Sequence, residues 1–152
     1  ASRSYELSEF LIDVLGVTDV GAYFPHRVTY HPSCHSVRIA KVGDKPMQLL
    51  KAVHGITVLD LPNSEQCCGM GGTFSLKHPD ISTAMVSDKV ASLKATGASQ
   101  LVTADCGCML NITKRAARED QDAGRSKPSL PGEHLATFLL RRTGGSPAGG
   151  QQ

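Results

Sequence analysis

The apolar positions of this chain alternate between helical stripes and short continuous runs. Leu7, Phe10, Leu11, Val14 and Leu15 recur at helical spacing, which predicts an opening amphipathic helix capped by Ser8 and ended by Gly16. Residues 17–26 read as loop. Arg27-Val28-Thr29-Tyr30 is a short strand halted by His31-Pro32-Ser33, and Cys34 stands at the start of a helical segment over 36–41. A further helix takes Asp44 as N-cap and Pro46 in its first turn, buries Leu49, Leu50 and Val53, and closes at Gly55. Residues 56–61 form the second strand, apolar enough to be buried on both faces. Pro62-Asn63-Ser64 breaks it, and a glycine-rich turn follows. Asp80 or Ser82 caps the longest helix, whose inner stripe is Val86, Val90 and Leu93 and whose stop is Gly97. Residues 101–104 are the third strand, 109–120 a helix and 121–132 a polar loop. Leu135, Phe138 and Leu139 mark a last helix, with Arg141 and Arg142 suited to its C-terminal end. Residues 143–152, nearly all Gly, Ser, Pro, Ala and Gln, read as a disordered tail, which leaves 1–142 as a single domain.

The order strand, cysteine, helix occurs three times. Strands that alternate with helices imply a three-layer α/β fold, Rossmann-like, with a short, mainly parallel sheet and right-handed crossovers. In such a sheet the carboxyl ends of the strands share one edge, and ligands bind outside it. Cys34, the Cys67–Cys68 pair, Cys106 and Cys108 all follow strands, so all five cysteines of the chain should gather at that edge. Each also sits near a helix N-terminus, where the dipole favours thiolate over thiol. Converging thiolates repel one another unless a cation separates them, which points to a metal centre. Gly69, Gly71 and Gly72, beside the cysteine pair, let backbone N–H groups approach sulfur. The turn lacks the Lys-Ser/Thr ending of a phosphate loop and does not match the dinucleotide fingerprint. His31 and His35 flank the Cys34 turn and read as donors behind the cysteines or as capping groups, ahead of direct ligands. His78 and His134 read as loop and capping residues.

Composition adds limits. A net charge of +2 with acids and bases interspersed gives no basic face for nucleic acid. Lys114, Arg115 and Arg118, followed by Glu119 and Asp120, read as a solvated helix face. No apolar run approaches the roughly 20 residues needed to cross a bilayer. An odd number of cysteines without an export signal suits a reducing compartment and favours metal binding over disulfides. Entry into a helix after six residues, with no initiator Met, reads as a piece of a longer chain.

Three blocks carry a family resemblance: Tyr30-His31-Pro32-Ser33-Cys34-His35, Cys67-Cys68-Gly69-Met70-Gly71-Gly72-Thr73-Phe74, and Asp105-Cys106-Gly107-Cys108-Met109-Leu110-Asn111-Ile112. They resemble the successive motifs of the cysteine-rich CCG domain, found in the cysteine-rich component of heterodisulfide reductase, the iron–sulfur component of glycolate oxidase and lactate-utilisation protein A. The segment 6–11 and His134-Leu135 are most similar to the last of these. The resemblance implies the second domain of a tandem pair, with an N-terminal CCG domain absent from this chain. It further implies a cytoplasmic role as an iron–sulfur electron-transfer subunit in oxidation of L-lactate or a related 2-hydroxy acid, beside partner proteins B and C. The family motif ends in Cys-x-x-Cys, whereas Asp105 stands at the first of those positions here. The implied ligand set is Cys34, Cys67, Cys68 and Cys108, with Cys106 spare or alternate. Four thiolates suit a [4Fe–4S] cluster or zinc, and five would suit a non-cubane cluster. Two other functions compete: a structural zinc domain that holds partners together, and a thiol-based redox protein using Cys67 and Cys68.

Overall fold

The computed structural model describes residues 4–144. Four strands, β1 (Arg27–His31), β2 (Thr57–Leu59), β3 (Gln100–Thr103) and β4 (Gly132–His134), form one sheet in the order β2-β1-β3-β4. Every pairing is parallel, with Thr29 opposite both Leu59 and Leu101 and His31 opposite Thr103. Helices lie on both faces, so the three-layer α/β architecture read from the sequence is present.

Side chains alternate across a strand, and the two faces of this sheet bury different sets. Val28, Tyr30 and Val102 pack with Leu49, Leu50, Leu135, Phe138 and Leu139 from helices α2 (Lys45–Lys51) and α6 (Leu135–Arg142). Leu101 packs with Val86, Val90, Leu93, Ile112 and Ala116 from α4 (Pro79–Ala95) and α5 (Cys106–Asp122). Thr29 and His31 alternate with Val28 and Tyr30, so they face α4 and α5. Val90, Leu93 and Ile112 are fully buried, and burial of each contributes about 1.5–3 kcal/mol. The chain runs from β1 outward to β2, then crosses back to β3 on the other side. The strand order therefore reverses between β1 and β3, and ligands of open α/β sheets bind outside the carboxyl edge at such a point.

Several elements differ from the sequence reading. The first helix, α1 (Leu7–Glu9), is capped by Glu6 rather than Ser8: the Ser8 N–H and hydroxyl both donate to the Glu6 carboxylate. It continues as a π-helical turn, Phe10–Val14, and the wider winding rotates the apolar stripe. Phe10, Val14 and Leu15 are consequently exposed, while Leu11 packs on the core as the stripe implied and Ile12 joins it there. The segment after Cys34, Ser36–Ala40, is also π-helical and stops at Lys41 in a left-handed conformation. β2 is an edge strand with Thr57 exposed, not a strand buried on both faces. No side chain caps α4: Ser82 instead donates its hydroxyl to the Gly69 carbonyl at 2.9 Å.

β4 has no apolar signature. Its middle residue, Glu133, is buried against Arg141 at 3.2 Å and Arg142 at 2.9 Å. Arg142 also lies over the rings of Phe24 and Phe138, at 4.3 and 3.9 Å, which fastens α6 to the sheet. Gly132 is required here because a Cβ would meet Thr113 Cγ2 at 2.5 Å. Arg115 and Glu119 pair on α5 as a solvated face would, at 3.1 Å. Asp120 departs from that face: it is buried and accepts from the Ser129 N–H at 2.7 Å, holding the loop before β4. Of the tail expected over 143–152, everything past residue 144 falls outside the described residues.

Candidate metal centre

His31 is the last residue of central strand β1, and Cys34 follows three residues later. Cys67 and Cys68 lie in the turn between β2 and the short helix α3 (Phe74–Lys77). Beyond β3, Asp105 caps α5: its side chain accepts from the Cys108 N–H at 2.9 Å. That bond fixes Cys108 on the first turn of the helix, facing inward. Cys106, two positions earlier, is exposed.

Gly69 makes the double-cysteine turn possible. Its φ is +79°, and a Cβ there would lie 2.7 Å from the Ser82 carbonyl oxygen of α4. Only glycine lets the turn touch the helix so closely. Asn111 on α5 donates its amide to the Cys68 carbonyl at 2.8 Å, so the turn is held from both helices. The Gly69 N–H points at Cys67 Sγ at 3.4 Å.

The sulfurs form two groups. Cys34 and Cys67 are half-buried, with their sulfurs 3.9 Å apart. Cys68 and Cys108 are buried, and their sulfurs and a ring nitrogen of His31 all lie within 4.8 Å of one another. Cys67 and Cys68 are adjacent in the chain, so the two groups are neighbours beyond the carboxyl ends of the strands. The structure thus brings together Cys34, Cys67, Cys68 and Cys108 and leaves Cys106 in solvent. Gly71 and Gly72 are exposed on the outer limb of the turn.

The expectation that helix N-termini lower every thiol is not met. Cys68 is lowered, to about 4, by the Cys108 thiol, then by His31 and the Met70 N–H. Cys108 is pushed up by sharing its proton with Cys68 and by burial. Cys34 is raised by burial and then by the negative charge of Cys67. The helix dipole decays within one turn, and here direct contacts between thiols outweigh it. Without metal the Cys68–Cys108 pair carries one proton at neutral pH.

Three further residues complete the site: His31, which the sequence placed beside Cys34 as a donor or capping group, Lys89, which gave no signal, and Asn111, which stands in the third motif block without an assigned role. His31 is buried, and neither ring nitrogen has a hydrogen-bond partner. Lys89 of α4 is fully buried and donates to the Asn63 carbonyl at 2.8 Å. Burial lowers its pKa, while the thiolates of Cys68, Cys67 and Cys108 oppose that shift. Asn111 is the third. Lys89 and Asn111 occupy helix positions that read as ordinary surface, and only the packing of α4 against α5 turns them inward. His35 is exposed, and His134 caps α6 by accepting from the Ala136 N–H at 3.2 Å.

The donor set of soft thiolates and imidazole, with a buried cation beside it, suits zinc or an iron–sulfur cluster. The orphaned imidazole beside two sulfurs is what such a centre would leave in a protein chain without its metal.

Comparison with known proteins identifies the family. Residues 28–113 match the cysteine-rich domain family CCG, a span that contains all five cysteines. The chain is 52% identical over 122 residues to lactate utilization protein A of Oceanobacillus iheyensis, covering 80% of this chain and 50% of that protein. The protein of the same name from Geobacillus kaustophilus is 51% identical over 118 residues, covering 78% and 49%. That of Shouchella clausii is 49% identical over 139 residues, covering 91% and 55%. The chain spans about half the length of the curated relatives it matches. The matched span is more than half of the chain, and the chain belongs to the CCG cysteine-rich domain family.

Proposed function

We propose that this chain is the metal-binding half of an electron-transfer subunit that serves oxidation of L-lactate or a related 2-hydroxy acid. The observation that carries this reading is the convergence of Cys34, Cys67, Cys68 and Cys108 at one end of the sheet. The name its relatives bear, lactate utilization protein A, points to the substrate. An iron–sulfur cluster, [4Fe–4S] or non-cubane, would supply one-electron transfer when bound. The chain's own residues account for the rest. Cys68 and Cys108 would hold the buried side and Cys34 and Cys67 the half-open side through which an electron enters or leaves. Lys89 places a positive charge beside the thiolates and offsets their repulsion. The Gly69 N–H, aimed at Cys67 Sγ, withdraws charge from that sulfur. Met70 in the double-cysteine turn, Leu76 and Ile81 on the two helices that follow it, and Leu110 on α5 are exposed apolar residues. They would be covered by the N-terminal half of the longer protein or by proteins B and C of the same system. A cytoplasmic setting belongs to this proposal. Among the described residues, no helix is long and apolar enough to cross a membrane.

A structural zinc site is the second reading, favoured by the closeness of His31, Cys68 and Cys108. Purification without oxygen, followed by iron and zinc analysis and a visible spectrum, separates the readings. Stoichiometric iron with broad blue-region absorption supports the cluster. Colourless protein with zinc supports the structural site. Metal-free protein that reversibly joins Cys34 to Cys67 supports a thiol redox function, on a different pair from the Cys67–Cys68 pair suggested by sequence.

A further inference from the structure

We propose that His31 is a direct metal ligand, so that the centre is a mixed imidazole–thiolate site and not a purely cysteine one. The inference rests on the metal-binding reading above and adds a donor to it. Two independent observations carry it. The first is geometric: a ring nitrogen of His31 and the sulfurs of Cys68 and Cys108 lie within 4.8 Å of one another. Metal bonds of about 2.3 Å to sulfur and about 2.0 Å to nitrogen bring such atoms to within roughly an ångström of this spacing around one ion. The second is the lack of any other partner. His31 is 1% exposed, and neither nitrogen makes a hydrogen bond within the protein, although the Cys68 and Cys108 sulfurs lie within 4.8 Å of one of them. A neutral imidazole has one donor and one acceptor, and a buried polar atom left unpaired costs about 1–3 kcal/mol. A histidine kept in a core merely to fill space would be satisfied by the protein.

The backbone holds all three donors in place before any metal arrives. His31 ends a central strand, where it pairs in register with Thr103. Cys108 is fixed by the Asp105 cap, and Cys68 by the Asn111 amide on its carbonyl. With Asp105 engaged in capping, His31 is the donor on this buried side that can join the two sulfurs. Coordination would use the imidazole lone pair and displace the proton shared by the two thiols.

The test uses the reduced, metal-free full-length chain, with cobalt(II) as the probe, in the absence of oxygen. X-ray absorption at the cobalt edge is expected to show imidazole scattering in addition to a sulfur shell. His31→Cys should remove the imidazole pattern, add to the sulfur shell and strengthen the thiolate-to-cobalt charge-transfer band. His31→Leu should bind cobalt at least tenfold more weakly, since even groups behind a ligand are worth about 10–100-fold. Circular dichroism checks that each variant folds, and the wild-type spectrum decides alone if one does not. A sulfur-only shell in the wild type overturns the proposal. So does an imidazole pattern that persists in His31→Cys, or unchanged affinity in a folded His31→Leu. A parallel loading with iron(II) and sulfide separates the two ideas. If no cluster assembles while cobalt binds through His31, the electron-transfer reading falls and this inference stands. If a cluster assembles and cobalt sees sulfur alone, only this inference falls.

Discussion

Replacing Gly69 by alanine is the sharpest structural perturbation of the double-cysteine turn. The new Cβ would sit 2.7 Å from the Ser82 carbonyl oxygen and 3.2 Å from Met85 Cβ, at a φ of +79°. The left-handed conformation costs a non-glycine residue about 1–2 kcal/mol. The clash is with helix backbone, which cannot swing aside as a side chain can. Relief requires the turn to lift from α4, and the hydrogen bond from the Ser82 hydroxyl to the Gly69 carbonyl is then lost, at about 1 kcal/mol. The expected loss of stability is therefore about 3 kcal/mol, and the cysteines move with the turn. Gly72→Ala is the internal control: its φ is +48° but a Cβ there meets nothing within 4 Å. It should lose about 1 kcal/mol, partly offset by the reduced freedom of the unfolded chain. Urea denaturation of both variants gives the difference, and iron or cobalt loading reports the geometry of the turn. Equal losses in the two variants, or a Gly69→Ala protein that loads metal like wild type, would refute the claim that close packing of the turn on α4 positions the ligands.

Other tests address charge and chemistry. The metal-free reduced chain should become more stable as pH rises from about 4 towards the ordinary thiol pKa of about 8.5. Folded Cys68 has already lost its proton in that window, while the unfolded chain still holds it. Above that range the sign reverses, because folded Cys108 keeps a proton the unfolded chain releases. Urea midpoints against pH should show this rise and fall, and Cys68→Ser should flatten the acid limb. Lys89→Met removes a fully buried cation from beside the thiolates. It should move the reduction potential of the loaded centre to more negative values, and a redox titration that finds no shift would remove Lys89 from the site. Arg142→Ala should lower stability by about 2 kcal/mol, through lost contacts with Phe24, Phe138 and the buried Glu133. Thermal melting would measure it.

The sequence made the site's location legible and left much of its composition hidden. Strand–cysteine–helix order was enough to predict a parallel sheet with the cysteines at its carboxyl edge, because chain direction alone decides where those turns fall. The stripe Val86, Val90, Leu93 was equally readable, since one buried helix face repeats at a fixed spacing. The first helix was misread because π-helical winding shifts the face that a regular period assumes. β4 escaped because its buried residue is a glutamate neutralised by two arginines far along the next helix. Lys89 gave no signal either: a lysine next to Val90 on a helix looks like a solvent position until α5 packs beside it. His31 was visible as a residue near Cys34, but only the parallel register of β1 with β3 brings it to Cys108.

The central claim, that four cysteines hold one electron-carrying centre, is met most directly by iron and sulfide content after anaerobic reconstitution of single-cysteine variants in the full-length protein. Cys34→Ser, Cys67→Ser, Cys68→Ser and Cys108→Ser should each lose the iron and the visible absorption of this centre, since a hydroxyl is a poor ligand for a soft metal site. Growth on L-lactate as sole carbon source should fail with them. Cys106→Ser should keep iron, colour and growth, because that side chain is exposed. Wild-type iron in Cys68→Ser would contradict the account, and loss of iron in Cys106→Ser equal to that in Cys68→Ser would contradict the four-cysteine ligand set.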